Sequence, residues 1–83
     1  MKYKIIIEKT AAKFIDKQPP KARERILKAI YELPEGKHIK AMQGEWKGSY
    51  RVSVGGYRVI YDVFHDQLLV RVIHADNRGD VYK

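Results

Sequence analysis

The chain has 83 residues, of which 45% are hydrophobic and 33% charged, a composition that fits one folded domain and excludes a disordered or membrane-embedded chain. Seventeen basic against ten acidic side chains leave a net charge of +7, which favours a polyanionic partner because each neutralised phosphate releases condensed counterions. The absence of cysteine excludes disulfides, thiol catalysis and cysteine-based zinc sites.

A domain of this size has one thin core and no room for a sizeable buried cavity. No apolar run approaches the ~20 residues of a spanning helix. The opening residues, from Met1 to Glu8, lack the features of a signal peptide, so a cytoplasmic protein without a membrane partner is expected. A basic surface kept for solubility is the alternative reading of the charge. Residues 1–48 carry 12 basic side chains, ten of them lysine, whereas residues 49–83 carry four arginines and Lys83. Lysine suits a general attractive field and arginine's planar fork suits fixed contact with phosphate.

In chain order, Tyr3, Ile5 and Ile7 alternate with charged residues and predict a strand with one buried face. Thr10 is placed to cap a short helix bearing Ala11, Phe14 and Ile15, which Gln18-Pro19-Pro20 must end. A second helix starting near Pro20 carries Ala22, Ile26, Leu27, Ile30 and Leu33 along one stripe and stops at Pro34-Glu35-Gly36. Residues 36–48 read as a loop anchored by Ile39, Met42 and Trp46. Three strands follow, at 50–54, 57–64 and 68–75, the first two joined by Gly55-Gly56 as a tight hairpin. The expected fold is α+β, βααβββ, a single domain over 1–83 in which a helical hairpin covers one face of an antiparallel sheet.

A two-glycine loop sets Val54 opposite Tyr57, Ser53 opposite Arg58 and Arg51 opposite Ile60. Alternation then places Tyr50, Val52, Val54, Tyr57, Val59, Tyr61 and Val63 on the core face. Arg51, Ser53 and Arg58 share the other face, the two arginines being diagonal neighbours roughly 7–8 Å apart between backbones, within reach of one phosphate. The same parity assigns Leu68, Val70, Val72 and His74 to the core, with His74 as a structural histidine. Leu69, Arg71 and Ile73 fall on the arginine face, where Ile60, Phe64, Leu69 and Ile73 form an apolar patch open to a partner. Arg78 follows in Asp76-Asn77-Arg78-Gly79-Asp80, which reads as a turn, and Tyr82 lies one short step beyond.

The segments GEWKGSYRVSVGGYRVIY (44–61) and VIHADNRGDVY (72–82) resemble the RelE/ParE superfamily of bacterial and archaeal toxins, and the likeness extends over essentially the whole chain. That resemblance implies a fold like the one above. In the RelE branch it implies a toxin that cuts messenger RNA on the ribosome and is silenced by a cognate RelB-like antitoxin. Arg58 then falls where that branch holds a phosphate-binding arginine. Arg78 falls where an arginine stabilises the transition state or protonates the leaving 5′ oxygen, and Tyr82 matches a tyrosine that stacks on the base or helps activate the 2′-hydroxyl. Arg51 stands where well-known members carry lysine and Ser53 where they carry a second basic residue, which leaves the general base unassigned; His74 is the tempting substitute, but its core-face parity favours a structural histidine. Lys40 and Lys47 are candidates for contact with ribosomal RNA. RNA brings its own nucleophile and the acidic and histidine residues show no ligand spacing, so no metal or cofactor is expected. A ParE-type inhibitor of DNA gyrase and a catalytically degenerate RNA-binding member are the alternatives.

Overall fold

The computed structural model describes residues 2–77. Its elements are β1 (Lys4–Ile7), α1 (Lys9–Asp16), α2 (Pro20–Tyr31), β2 (Ile39–Ala41), β3 (Tyr50–Val54), β4 (Tyr57–Phe64) and β5 (Leu69–Asn77), with single 3₁₀ turns at Gly44–Trp46 and His65–Gln67. The five strands form one sheet in the order β1-β5-β4-β3-β2. Both helices cover one face, as their apolar stripes require.

Pro20 stands in the first turn of α2, where its missing N–H costs nothing and its fixed φ is already helical. Helix α1 starts one residue before Thr10; its N-cap is Glu8, and no side chain caps it, so the capping role expected of Thr10 is not used. Ala11 and Ile15 from α1, Ile26 and Ile30 from α2, and Leu33 meet Val52, Val59, Tyr61, Val70, Val72 and Ala75 of the sheet in one buried cluster. Tyr3, just before β1, and Ile5 and Ile7 on it pack against this cluster. Burial, with Tyr50 alongside, pushes the Tyr61 phenol up to about 12, so it stays neutral inside the core.

The β3–β4 register is the one the glycine pair dictates, with Val54 opposite Tyr57, Ser53 opposite Arg58 and Arg51 opposite Ile60. Gly55 supplies the left-handed φ of +60° that this turn needs, and the Arg25 guanidinium lies 3.2 Å from where a Cβ would stand.

Four features differ from the sequence reading. Strand β1 pairs parallel to β5, so the sheet is mixed, because the two helices return the chain to the far edge before β2 begins. The segment expected to be a loop contributes β2, paired antiparallel to β3 through Ile39–Val52, Lys40–Arg51 and Ala41–Tyr50. Tyr50 is 40% exposed and not a core residue, whereas Ile60, expected on the surface, is fully buried. Finally, β5 runs to Asn77 and contains a bulge: Tyr61 pairs with Val72, but Ile60 pairs with His74, leaving Ile73 as the extra residue. The bulge reverses the parity of everything after it. Ala75 therefore enters the core and His74 turns to the open face.

Ile30 is fully buried beneath the sheet. Its truncation in Ile30→Ala is expected to lower the unfolding free energy by about 2–5 kcal/mol, seen as a fall in the urea midpoint followed by circular dichroism; an unchanged midpoint would mean that α2 does not support the core as described.

Candidate functional site

The open face is built by the pairing of four strands. Lys40 on β2 stands opposite Arg51 on β3, Arg51 opposite Ile60 on β4, and Ile60 opposite His74 on β5. One row nearer the Gly55-Gly56 turn, Ser53 faces Arg58 and Arg58 faces Asp76. Strand pairing thus brings Arg51, Ser53 and Arg58 to one region, as the register predicts, and adds Lys40, His74 and Asp76 to it. Arg78 and Tyr82 lie outside the described residues.

Arg58 is not a bare cation. Its Nε donates to Asp76 Oδ1 at 2.9 Å and its Nη2 to Oδ2 at 2.6 Å, a side-on two-point contact between planar groups. The hydrogen bond to Asp76 raises the Arg58 pKa above its ordinary value, partial burial working the other way. Asp76 is held below the usual carboxylate range, first by the Arg58 hydrogen bond and, against the opposing effect of burial, by a hydrogen bond from His74. His74 Nε2 lies 2.9 Å from Asp76 Oδ2. On the far side of the imidazole the indole of Trp46 stacks, with centroids 5.2 Å apart and planes at 30°. The result is a connected chain, Arg58–Asp76–His74–Trp46, crossing from β4 to the 3₁₀ turn before β3.

Arg51 differs from Arg58. Its Nε is buried and has no hydrogen-bond partner among the described residues. A buried guanidinium donor without an acceptor is costly, and an incoming phosphate oxygen would satisfy it. Lys40, exposed beside it, adds to the positive potential of the row. Lys47 is exposed at the end of the turn that carries Trp46. Arg71 on β5, the other arginine of this face among the described residues, pairs with Glu8 at the start of α1 and is removed from the cluster. Further along the same face the Ser49 hydroxyl, itself buried, donates to Asp62.

The sheet therefore has two open regions. Near the glycine turn it is basic; toward the other end Ile6, Phe64 and Leu69, with Glu8, Gln67 and Arg71, line a shallow groove of about 430 Å³. Among the described residues no group of three histidine or carboxylate side chains is placed to hold a metal ion, and no helix is long and apolar enough to cross a membrane.

Sequence reasoning gave Asp76 no role and set His74, the tempting substitute for a base, on the core face. The spacing His74-x-Asp76 on one strand does put both on one face, but which face depends on the bulge at Ile73. Nothing in the segment from Leu68 to Ile73, apolar but for Arg71, announces it. Trp46 was legible as an anchor, though its partner was not.

A family model described as ParE toxin of type II toxin-antitoxin system, parDE, matches residues 2–79. Toxin RelG of Mycobacterium tuberculosis (strain ATCC 25618 / H37Rv) is 28% identical over 90 residues, covering 100% of this chain and 99% of RelG. Among solved structures, a chain of the RelBE2 toxin–antitoxin complex of Mycobacterium tuberculosis superposes with a TM-score of 0.83 at 22% identity, covering 96% of this chain and 95% of that one, a likeness of fold. A chain of the archaeal RelE–RelB complex from Pyrococcus horikoshii OT3 superposes with a TM-score of 0.75 at 28% identity, covering 95% and 98%.

The ion pair carries a pH signature. Folded Asp76 holds its proton less tightly than the unfolded chain does. It therefore contributes stability above the unfolded carboxylate value of about 3.9 and loses it as the pH falls through the lower folded value. Arg58→Met removes the largest cause of the shift, so wild-type stability is expected to drop more steeply than that of the variant below about pH 4. Parallel curves from urea titrations at a series of pH values would show that the pair does not form in solution.

Proposed function

The chain belongs to the ParE toxin family of type II toxin–antitoxin systems, within the RelE/ParE superfamily, and from that membership we propose a toxin that inhibits translation as a metal-independent, ribosome-dependent endonuclease of messenger RNA. The observation that carries this reading is the open sheet face on which Arg51, with a buried Nε that has no partner among the described residues, lies diagonal to Arg58 and opposite Lys40. Such a face suits an RNA backbone.

The reaction asks little of the protein beyond placement and charge. A ribose 2′-oxygen attacks the adjacent phosphorus, the bond to the 5′ oxygen breaks, and a 2′,3′-cyclic phosphate remains. In this reading Arg51 and Arg58 bind the phosphate and offset the charge that grows on its oxygens in the transition state. Arg58 has five N–H donors and directs two at Asp76, which leaves the others for a ligand. Arg78 is assigned to the leaving oxygen or the transition state and Tyr82 to the base or the 2′-hydroxyl, both on the resemblance quoted above. Lys40, Lys47 and Ser53 are assigned to RNA contact outside the scissile bond, with the lysines setting a salt-dependent attraction.

Cleavage of mRNA on programmed ribosomes tests the assignment. Arg51→Ala and Arg58→Ala are each expected to lower the cleavage rate about 10²–10³-fold, the usual scale for losing one donor to a developing charge. Full activity in both variants would remove the phosphate site from this face. Inhibition of DNA gyrase with translation unaffected would instead favour the ParE-type reading, toward which the family model's name points.

For the partner, we propose a RelB-type antitoxin, supported by the similarity to chains crystallised in RelB–RelE complexes. It is expected to bury the groove around Ile6, Phe64 and Leu69. Co-expression with the neighbouring gene product should yield a complex of two different chains, and Ile6→Asp, which changes a residue already 39% exposed, should weaken that complex without unfolding the toxin. A toxin that purifies alone and leaves growth unaffected would count against this partner.

A further inference from the structure

Three side chains brought together by the bulge have no role in the reading above. His74 directs Nε2 at Asp76, which also accepts from Arg58. A carboxylate held in its ionised form only accepts hydrogen bonds, so Nε2 of the neutral ring carries the proton and Nδ1 carries the lone pair. The side chain is 36% exposed, and the Trp46 stack fixes the plane of the ring. Its neighbours on the open face are the residues proposed to bind phosphate. A partly exposed imidazole oriented by a carboxylate, with guanidinium groups on the neighbouring strands, is the arrangement a general base requires.

We propose that His74 is the proton acceptor for the attacking 2′-hydroxyl, that Asp76 is a positioning residue that fixes its tautomer, and that Trp46 holds the ring against the sheet. The inference rests on the endonuclease reading and gives it the base that the resemblance left unassigned. As the 2′-oxygen bonds to phosphorus, its proton passes to His74 Nδ1 and the electron pair of the breaking P–O bond goes to the 5′ oxygen. That oxygen takes a proton from water, and the imidazolium returns its proton to the hydroxide so formed. Arg58 then serves twice, toward the phosphate and, through Asp76, toward the base.

Among the described residues, the charged and titratable groups on the elements around the ring are Asp76 on its own strand, Arg58 on β4, Arg51 on β3, Lys40 on β2, and Glu45 and Lys47 beside Trp46 on the stacked turn. Of these, the two carboxylates are the groups other than His74 able to shape an acid limb.

The experiment is a single-turnover rate of mRNA cleavage on programmed ribosomes as a function of pH, with the full chain. Wild type is expected to lose rate on acidification as one group protonates. His74→Gln is expected to lower the plateau about 10²–10⁴-fold and to abolish that acid limb. Asp76→Asn should lower the rate and move the limb to lower pH, while Glu45→Gln should leave it in place. Circular dichroism and antitoxin binding at wild-type levels in His74→Gln exclude simple misfolding. If the wild type cleaves and His74→Gln keeps both its rate and its pH dependence, the role of His74 is overturned and the endonuclease reading stands. If the wild type does not cleave programmed mRNA at all, both fall together.

Discussion

One inserted residue in one strand decides what the open face of this protein is. Tyr61 pairs with Val72 and Ile60 with His74, so Ile73 has no partner across β4. Without that insertion the strict two-residue alternation of a strand would point His74 and Asp76 at the helices and push Ala75 toward solvent. Two polar groups would then lie in a core that consists of isoleucine, valine, leucine, alanine and one tyrosine. With it, Ala75 joins the core under the sheet, and the carboxylate of Asp76 lands opposite the Arg58 guanidinium that pairs with it. Core packing and site assembly are consequences of the same local irregularity.

The two faces of the sheet divide the chemistry. The helices cover one face, because α1 and α2 each present an apolar stripe that packs on the central strands. The other face is left to charge, and its charges are arranged unevenly. Arg71 and Arg58 each have a carboxylate partner, in Glu8 and Asp76, while the Nε of Arg51 has no acceptor among the described residues. A net charge of +7 therefore does not spread evenly over the surface. Where both signs are present they fix geometry, and where the positive sign stands alone it attracts.

Much of this was legible in the sequence, and the exceptions share a cause. Strands β3 and β4 and their register follow from Gly55-Gly56 and from strict alternation, and both helices follow from proline placement and stripe spacing. The juxtaposition of Arg51 and Arg58 needed nothing more. The features that escaped are non-local. Strand β2 has three residues and exists because β3 offers it an edge. The parallel pairing of β1 depends on where the helices deliver the chain. The bulge at Ile73 arises where two adjacent apolar residues, Val72 and Ile73, suit either face, so local preference is silent and packing decides. Ile60, read as surface, is buried for a related reason: parity identifies a face without revealing what covers it.

Trp46 is the one tryptophan in the chain, and its indole rests against an imidazole. An excited indole is quenched more strongly by imidazolium than by neutral imidazole, so the emission of this protein reports the protonation state of a single ring. The fold thus carries its own optical gauge of that ring, readable without label or substrate, and any molecule that settles on this part of the sheet will register in the same light.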